Sequence, residues 1–184
     1  MKTLAGVLVW VVGLALAVAS DGALAGTECN TPSPPFLSGT VIGGLVVNAG
    51  DFCFLDGAHI SGGVQVNAGG ILIACGSTIN GGIVANGAAT VAIGPEEIGC
   101  PGSVINGGVQ ISNTGGDNFP AGPPSVALEH SAIHGAVRLI GNHGHIAVAG
   151  NTIAGGLFCA NNAFDLEDEG MTNVVTGPIR CKFE

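Results

Sequence analysis

A single right-handed parallel β-solenoid is the fold this sequence predicts, all-β and of about six turns, capped and stapled by disulfides. Three observations predict it: a short motif that returns six times, apolar residues at a period of two, and a glycine at a fixed place in every copy. The copies are Val41–Val47, Ile60–Val66, Ile79–Ala85, Ile105–Ile111, Ile133–Leu139 and Ile153–Cys159, each reading apolar-x-Gly-small-apolar-x-apolar. Their first residues stand 19, 19, 26, 28 and 20 apart. One such unit is too small to bury a core alone but buries one against identical neighbours. Six turns at ~4.8 Å each give a rod of roughly 25 to 30 Å, and the chirality of parallel crossovers makes it right-handed. Glycine at this frequency argues against helices, where each would cost about 1 kcal/mol.

In chain order, residues 1–25 read as an export signal: a basic start at Lys2, uncharged and largely apolar residues from Leu4 to Ala19, and the small triplet Ala23-Leu24-Ala25. The apolar run falls short of the ~20 residues a membrane-spanning helix needs, so cleavage after Ala25 is expected and no stable membrane span remains. Residues 26–40, with Pro32, Pro34 and Pro35, form an N-terminal cap. Residues 41–160 form the solenoid, and 161–184 a C-terminal cap or tail. Two insertions lengthen the third and fourth intervals, Gly94–Gly102 and Asn113–Ser125, both proline-bearing.

Stacking the copies assigns their faces. The fifth position reads Leu45, Val64, Ile83, Val109, Val137, Leu157 and the seventh Val47, Val66, Ala85, Ile111, Leu139, Cys159, so both point inward. The sixth reads Val46, Gln65, Val84, Gln110, Arg138, Phe158 and points to solvent, because neighbouring strand residues face opposite sides. A second short strand precedes most copies, with Phe52 and Phe54, Ile71 and Ile73, Val91 and Ile93, Val126 and Leu128, Ile146 and Val148 as its alternating apolar pairs. Asn48, Asn67, Asn86 and Ser112, directly after the inward strand, read as a hydrogen-bonded ladder.

The motifs Ile60-Ser61-Gly62-Gly63-Val64 and Ile79-Asn80-Gly81-Gly82-Ile83 resemble those of bactofilins, bacterial scaffold proteins built as small right-handed β-helices. The resemblance covers about residues 38 to 160 and implies the same kind of coil; in that family it also implies filaments. The export signal, the cysteines and the proline-bearing insertions depart from that pattern.

All six cysteines, 29, 53, 75, 100, 159 and 181, lie beyond the cleavage site, and an even set in an exported chain reads as disulfides. Fifteen pairings are open in principle; sequential pairing is the expectation, since Cys29–Cys53 and Cys159–Cys181 would tie a cap to each end while Cys75 and Cys100 fall on adjacent turns.

Charge and motif content exclude several functions. With Lys2 and Asp21 removed with the signal, twelve acidic and three basic residues remain, so no basic patch exists for nucleic acid. A carbohydrate-active β-helix would align carboxylates on neighbouring turns, and no acidic residue recurs at one column. His130, His134, His143 and His145 lie close in sequence, but His134 shares the corner column of Ser61, Asn80 and Asn106, and no metal set is expected from them. The run Asp165–Glu169 lacks the glycine and spacing of a calcium loop. The threonine column of an ice-binding face is broken, with Thr40, Thr78 and Thr152 interrupted by His59, Val104 and Ala132.

The expectation is therefore a secreted, extracellular or envelope, non-enzymatic structural or surface-interaction module without cofactor. Its recognition surface would comprise Gln65, Gln110, Arg138 and Phe158 with the 113–125 loop, facing a cell-surface glycan, a protein or another copy. A β-helix carbohydrate-active enzyme and a self-assembling envelope scaffold are the alternatives.

Overall fold

The computed structural model describes residues 26–115 and 124–184. The expected export signal, residues 1–25, and most of the 113–125 loop lie outside the described residues. The chain coils into a parallel β-solenoid of about seven turns. One sheet has eight strands, Thr27–Glu28, Leu45–Val47, Val64–Val66, Ile83–Asn86, Val109–Ser112, Val137–Ile140, Leu157–Ala160 and Ile179–Arg180. Each pairs in parallel with the next, in register along the columns of the repeat, for example Val109 beside Ile83 and Val137.

The second, eleven-stranded sheet bends into two limbs. One stacks Phe52–Asp56, Ile71–Cys75, Thr90–Ile93, Val126–Glu129 and Ile146–Ala149. The other stacks the isoleucines that open the copies, Ile60, Ile79, Ile105, Ile133 and Ile153. The core lies between these walls, with Leu45, Val47, Ile79, Ile105, Leu128 and Leu139 among its buried residues.

A seventh copy extends the stack beyond the expected six. Val175-Thr176-Gly177-Pro178-Ile179-Arg180-Cys181 keeps the glycine of the motif, and Val174–Val175 and Ile179–Arg180 pair with the sixth turn. Part of the expected C-terminal tail is thus solenoid, disguised because Pro178 replaces the small residue at the fourth position. Core ends are covered. Leu166, fully buried, bridges to Phe183 at one end, and Leu37 and Val41 pack on the core at the other.

In the first two turns of the first limb the alternating apolar pairs lie on the face away from the core. Cys53 and Leu72 align with Val91, and Leu55 and Ala74 with Ile93, so these point inward. Phe52, Phe54, Ile71 and Ile73 instead face outward into a second apolar cluster with Ala92, Cys100 and Ala127. A strand covered on both faces loses its alternation and reads as a continuous apolar run. The cover comes from the lead-in, whose Phe36 stacks on Phe54 at 4.1 Å between centroids, and from the first insertion, which carries Cys100.

The disulfides pair sequentially: Cys29–Cys53, Cys75–Cys100 and Cys159–Cys181, with Cα atoms 5.3, 4.9 and 4.9 Å apart. The first holds the lead-in to the first turn, the second pins the first insertion to the outer face, and the third holds the seventh turn to the sixth. Replacing Cys159 and Cys181 together by serine is expected to cost about 3 kcal/mol in urea unfolding, since it releases a closed loop of some two dozen residues. The Val174–Arg180 amides should lose hydrogen-exchange protection first.

Candidate functional site

The sixth-position residues form a single outward file across the first sheet. Val46, Gln65, Val84, Gln110, Arg138 and Phe158 are paired strand to strand in that order. Gln65, Gln110 and Arg138 are exposed and Phe158 is half-buried. The Arg138 guanidinium lies 5.1 Å from the Phe158 ring centroid, a cation–π pair across adjacent strands. Gln65 is held by its Nε2, which donates to Asn67 Oδ1 at 2.8 Å.

Beside this file runs a strip of paired glycines. Side chains are absent there because neighbouring turns approach too closely: a Cβ on Gly62 would lie 2.7 Å from the backbone of Gly43. The missing side chains leave an open trough of about 690 Å³, with Gly44, Gly63 and Gly82 as its floor and Val46, Gln65 and Val84 as its wall. Val84 is half exposed, 51%. Towards the other end of the rod the Phe158 ring lies over Gly156, where a Cβ would come within 2.6 Å of it.

The polar columns flank these surfaces. The asparagine ladder exists in two segments, with Asn67 Nδ2 donating to Asn48 Oδ1 at 3.0 Å, and Ser112 and Asn113 donating to Asn86 Oδ1. His134 is a corner residue as its column implies: its Nδ1 is 2.8 Å from Asn106 Oδ1, and Asn106 Nδ2 donates to Asn80 Oδ1 at 2.7 Å. His143 Nδ1 meets the Thr114 carbonyl, while the His145 ring lies tilted against Phe164, 5.0 Å between centroids. The four histidines do not converge on a common point.

A different cluster does converge. Glu97, in the short turn Glu96–Ile98 of the first insertion, Glu129, at the end of strand Val126–Glu129, and Glu169, in the C-terminal segment, place carboxylate oxygens within 4.8 Å of one another. Glu129 is fully buried. Its Oε2 accepts the Glu96 N–H at 2.7 Å, and its Oε1 has no hydrogen-bond partner among the described residues. Burial pushes the Glu129 carboxyl up to about 7; the Glu96 N–H opposes the rise, and the nearby carboxylates of Glu97, Glu169 and Glu96 add to it. Glu169 is also raised, by partial burial and then by Glu97 and Glu96. His130 lies beside the group with its Nε2 3.8 Å from Glu96 Oε2 and 3.2 Å from Met171 Sδ.

The absence of a shared carboxylate column did not reveal this cluster. Column alignment compares equivalent positions of the repeat, whereas these three come from an insertion, a strand end and a terminal segment. One signal was available: Glu129 ends a strand whose equivalent residues in the neighbouring turn, Ile146–Ala149, are all apolar.

No protein-family model, curated protein or solved structure matches the chain. The reading of the site therefore rests on its chemistry.

Proposed function

We propose that this chain is a secreted, non-enzymatic rod whose first-sheet outer face is a surface-interaction module for a cell-surface glycan or protein. The observation that carries this reading is the file Val46–Phe158 with its glycine-floored trough: a rigid, open, regularly spaced surface on a solenoid with covered ends. Stacked at the ~4.8 Å strand spacing, alternating amide and aliphatic groups offer hydrogen bonds beside apolar contact. That combination suits an extended ligand lying along the rod axis. Covered ends and three disulfides support an independent secreted particle over a filament subunit.

A carbohydrate-active enzyme draws support from the raised Glu129 beside other carboxylates, the pairing used in glycoside hydrolysis. The full burial of Glu129 weighs against it, because a sugar oxygen must reach a general acid.

The test is light scattering of the oxidised, exported protein together with retention on an immobilised panel of cell-wall polysaccharides. We expect a monomeric particle and a retained glycan, with retention falling at least tenfold in V84E and in the R138A/F158A double variant, a loss of about 1.4 kcal/mol or more. Filaments would favour the scaffold, and undiminished retention in both variants would remove the outer face from the binding surface.

A further inference from the structure

We propose that Glu97, Glu129 and Glu169 form a calcium site that ties the first insertion and the C-terminal segment to the body of the solenoid. Three observations point to a cation there. The first is geometric: ligands of one Ca²⁺ sit 2.3–2.6 Å from it, so two of them are at most about 5 Å apart, and the three carboxylate oxygens meet that limit at 4.8 Å.

The second is the state of Glu129. A fully buried carboxylate is normally paired, yet its Oε1 has no partner among the described residues. Nor does any lysine or arginine among them reach these carboxylates within salt-bridge distance; the ion pair present is His130 with Glu96. Three acidic groups thus converge on a volume with no lysine or arginine to balance them and only His130 beside them, a costly arrangement that a divalent ion reverses.

The third is donor type. Carboxylate oxygens alone favour a hard cation, calcium or magnesium, over zinc, whose protein sites are built mainly on nitrogen and sulfur. His130 is turned to Glu96 and the Met171 sulfur. Calcium is favoured over magnesium because it tolerates irregular geometry at longer bonds, and exposed Glu97 and Glu169 leave room for water in the remaining positions. A bound ion needs only its own small volume beside Glu129, unlike a sugar.

The consequence is a clamp. The three ligands come from segments 32 and 40 residues apart in sequence, so the ion would close contacts that no disulfide closes. An affinity in the range of extracellular modules is expected, about 0.1–1 mM.

The test is calorimetry on the oxidised, exported protein after EDTA treatment, because the described residues contain neither tryptophan nor tyrosine for fluorescence. CaCl₂ at about 100-fold over the dissociation constant should raise Tm by about 5–10 °C, and titration should give one site per chain. E129Q keeps the acceptor for the Glu96 N–H and removes the buried charge. In EDTA its Tm should equal or exceed that of the parent chain, while the calcium-dependent rise disappears. E97Q and E169Q, both exposed positions, should each weaken binding at least tenfold, and they keep the test open were E129Q not to fold. A calcium-dependent rise that persists in E129Q or in both exposed variants would overturn the site, as would no rise at all in the parent chain. A larger rise with MgCl₂ would overturn the assignment to calcium. Glycan retention by E129Q separates this proposal from the outer-face reading, since the two sites share no residue.

Discussion

Substituting Gly81 by alanine should unfold the solenoid or cost more than about 4 kcal/mol in urea denaturation. A Cβ built on Gly81 lies 2.5 Å from the Gly63 nitrogen, 2.7 Å from its Cα and 2.8 Å from the Gly62 carbonyl carbon. All three are backbone atoms, so no side chain can rotate away. Relief requires moving one turn against the next, which breaks parallel pairing on both sides. Overpacking of a core side chain costs about 1–3 kcal/mol when neighbours adjust; here the neighbours are the ladder itself. Gly62, Gly107, Gly135, Gly155 and Gly177 meet the preceding turn in the same way, at 2.5 to 2.8 Å. The fourth position supplies the control. Ala136 already occupies that column, and a Cβ on Gly108 meets one close backbone atom, the Ala136 carbonyl oxygen at 2.9 Å, with the next at 3.6 Å, so G108A should cost about 1–3 kcal/mol, clearly less than G81A. Equal denaturation midpoints for G81A and G108A would show that the turns are not held at the spacing that excludes a Cβ.

That contrast also shows what a sequence of this kind makes readable. From the second copy onward the third-position glycine is a steric requirement of the coil, and in the first Gly43 has a positive φ of 96°, so glycine recurs in every copy and reveals the repeat; the fifth and seventh positions recur because they fill one core. Both constraints act identically on each turn, and identical constraints leave a periodic trace. The outward file with Gln65, Gln110, Arg138 and Phe158 follows from the same alternation. What escaped detection obeys no common constraint. Phe52 and Ile73 are covered by the lead-in and by Cys100, so their apolar character reports a local cover and not the core. Gly177 escaped because Pro178 breaks the pattern beside it. Glu97, Glu129 and Glu169 meet only through tertiary packing of non-repeating segments, and no spacing in the chain encodes that meeting.

Asn151→Ala should cost about 2–3 kcal/mol, although this residue lies in a column that looked unremarkable in the chain. At one corner of the coil a buried or half-buried side chain of each turn accepts the backbone N–H of the turn before. Ala58 N–H donates to Ser77 Oγ at 3.0 Å, Ser77 N–H to Ser103 Oγ at 3.1 Å, and Ser103 N–H to Ser131 Oγ at 3.0 Å. Ser131 N–H then donates to Asn151 Oδ1, and Asn151 N–H to Asn173 Oδ1, both at 3.0 Å. The Asn151 amide also donates to the Leu128 carbonyl, so one side chain satisfies a donor and an acceptor on different strands. Removing it leaves the buried Ser131 N–H without its partner, worth about 1–3 kcal/mol, and takes one of its bonds from the Leu128 carbonyl, whose strand stays paired with Ile146–Ala149. Serine at 151 should recover more than half of the loss, because serine already accepts the equivalent bond at 131. Alanine at Asn80 should cost under about 0.5 kcal/mol, since that ladder is exposed and water replaces its bonds. Hydrogen exchange at the Ser131 amide is the decisive reading: rapid exchange in N151A, restored by serine, assigns the corner's stability to this stack, and protection unchanged in N151A would assign it elsewhere.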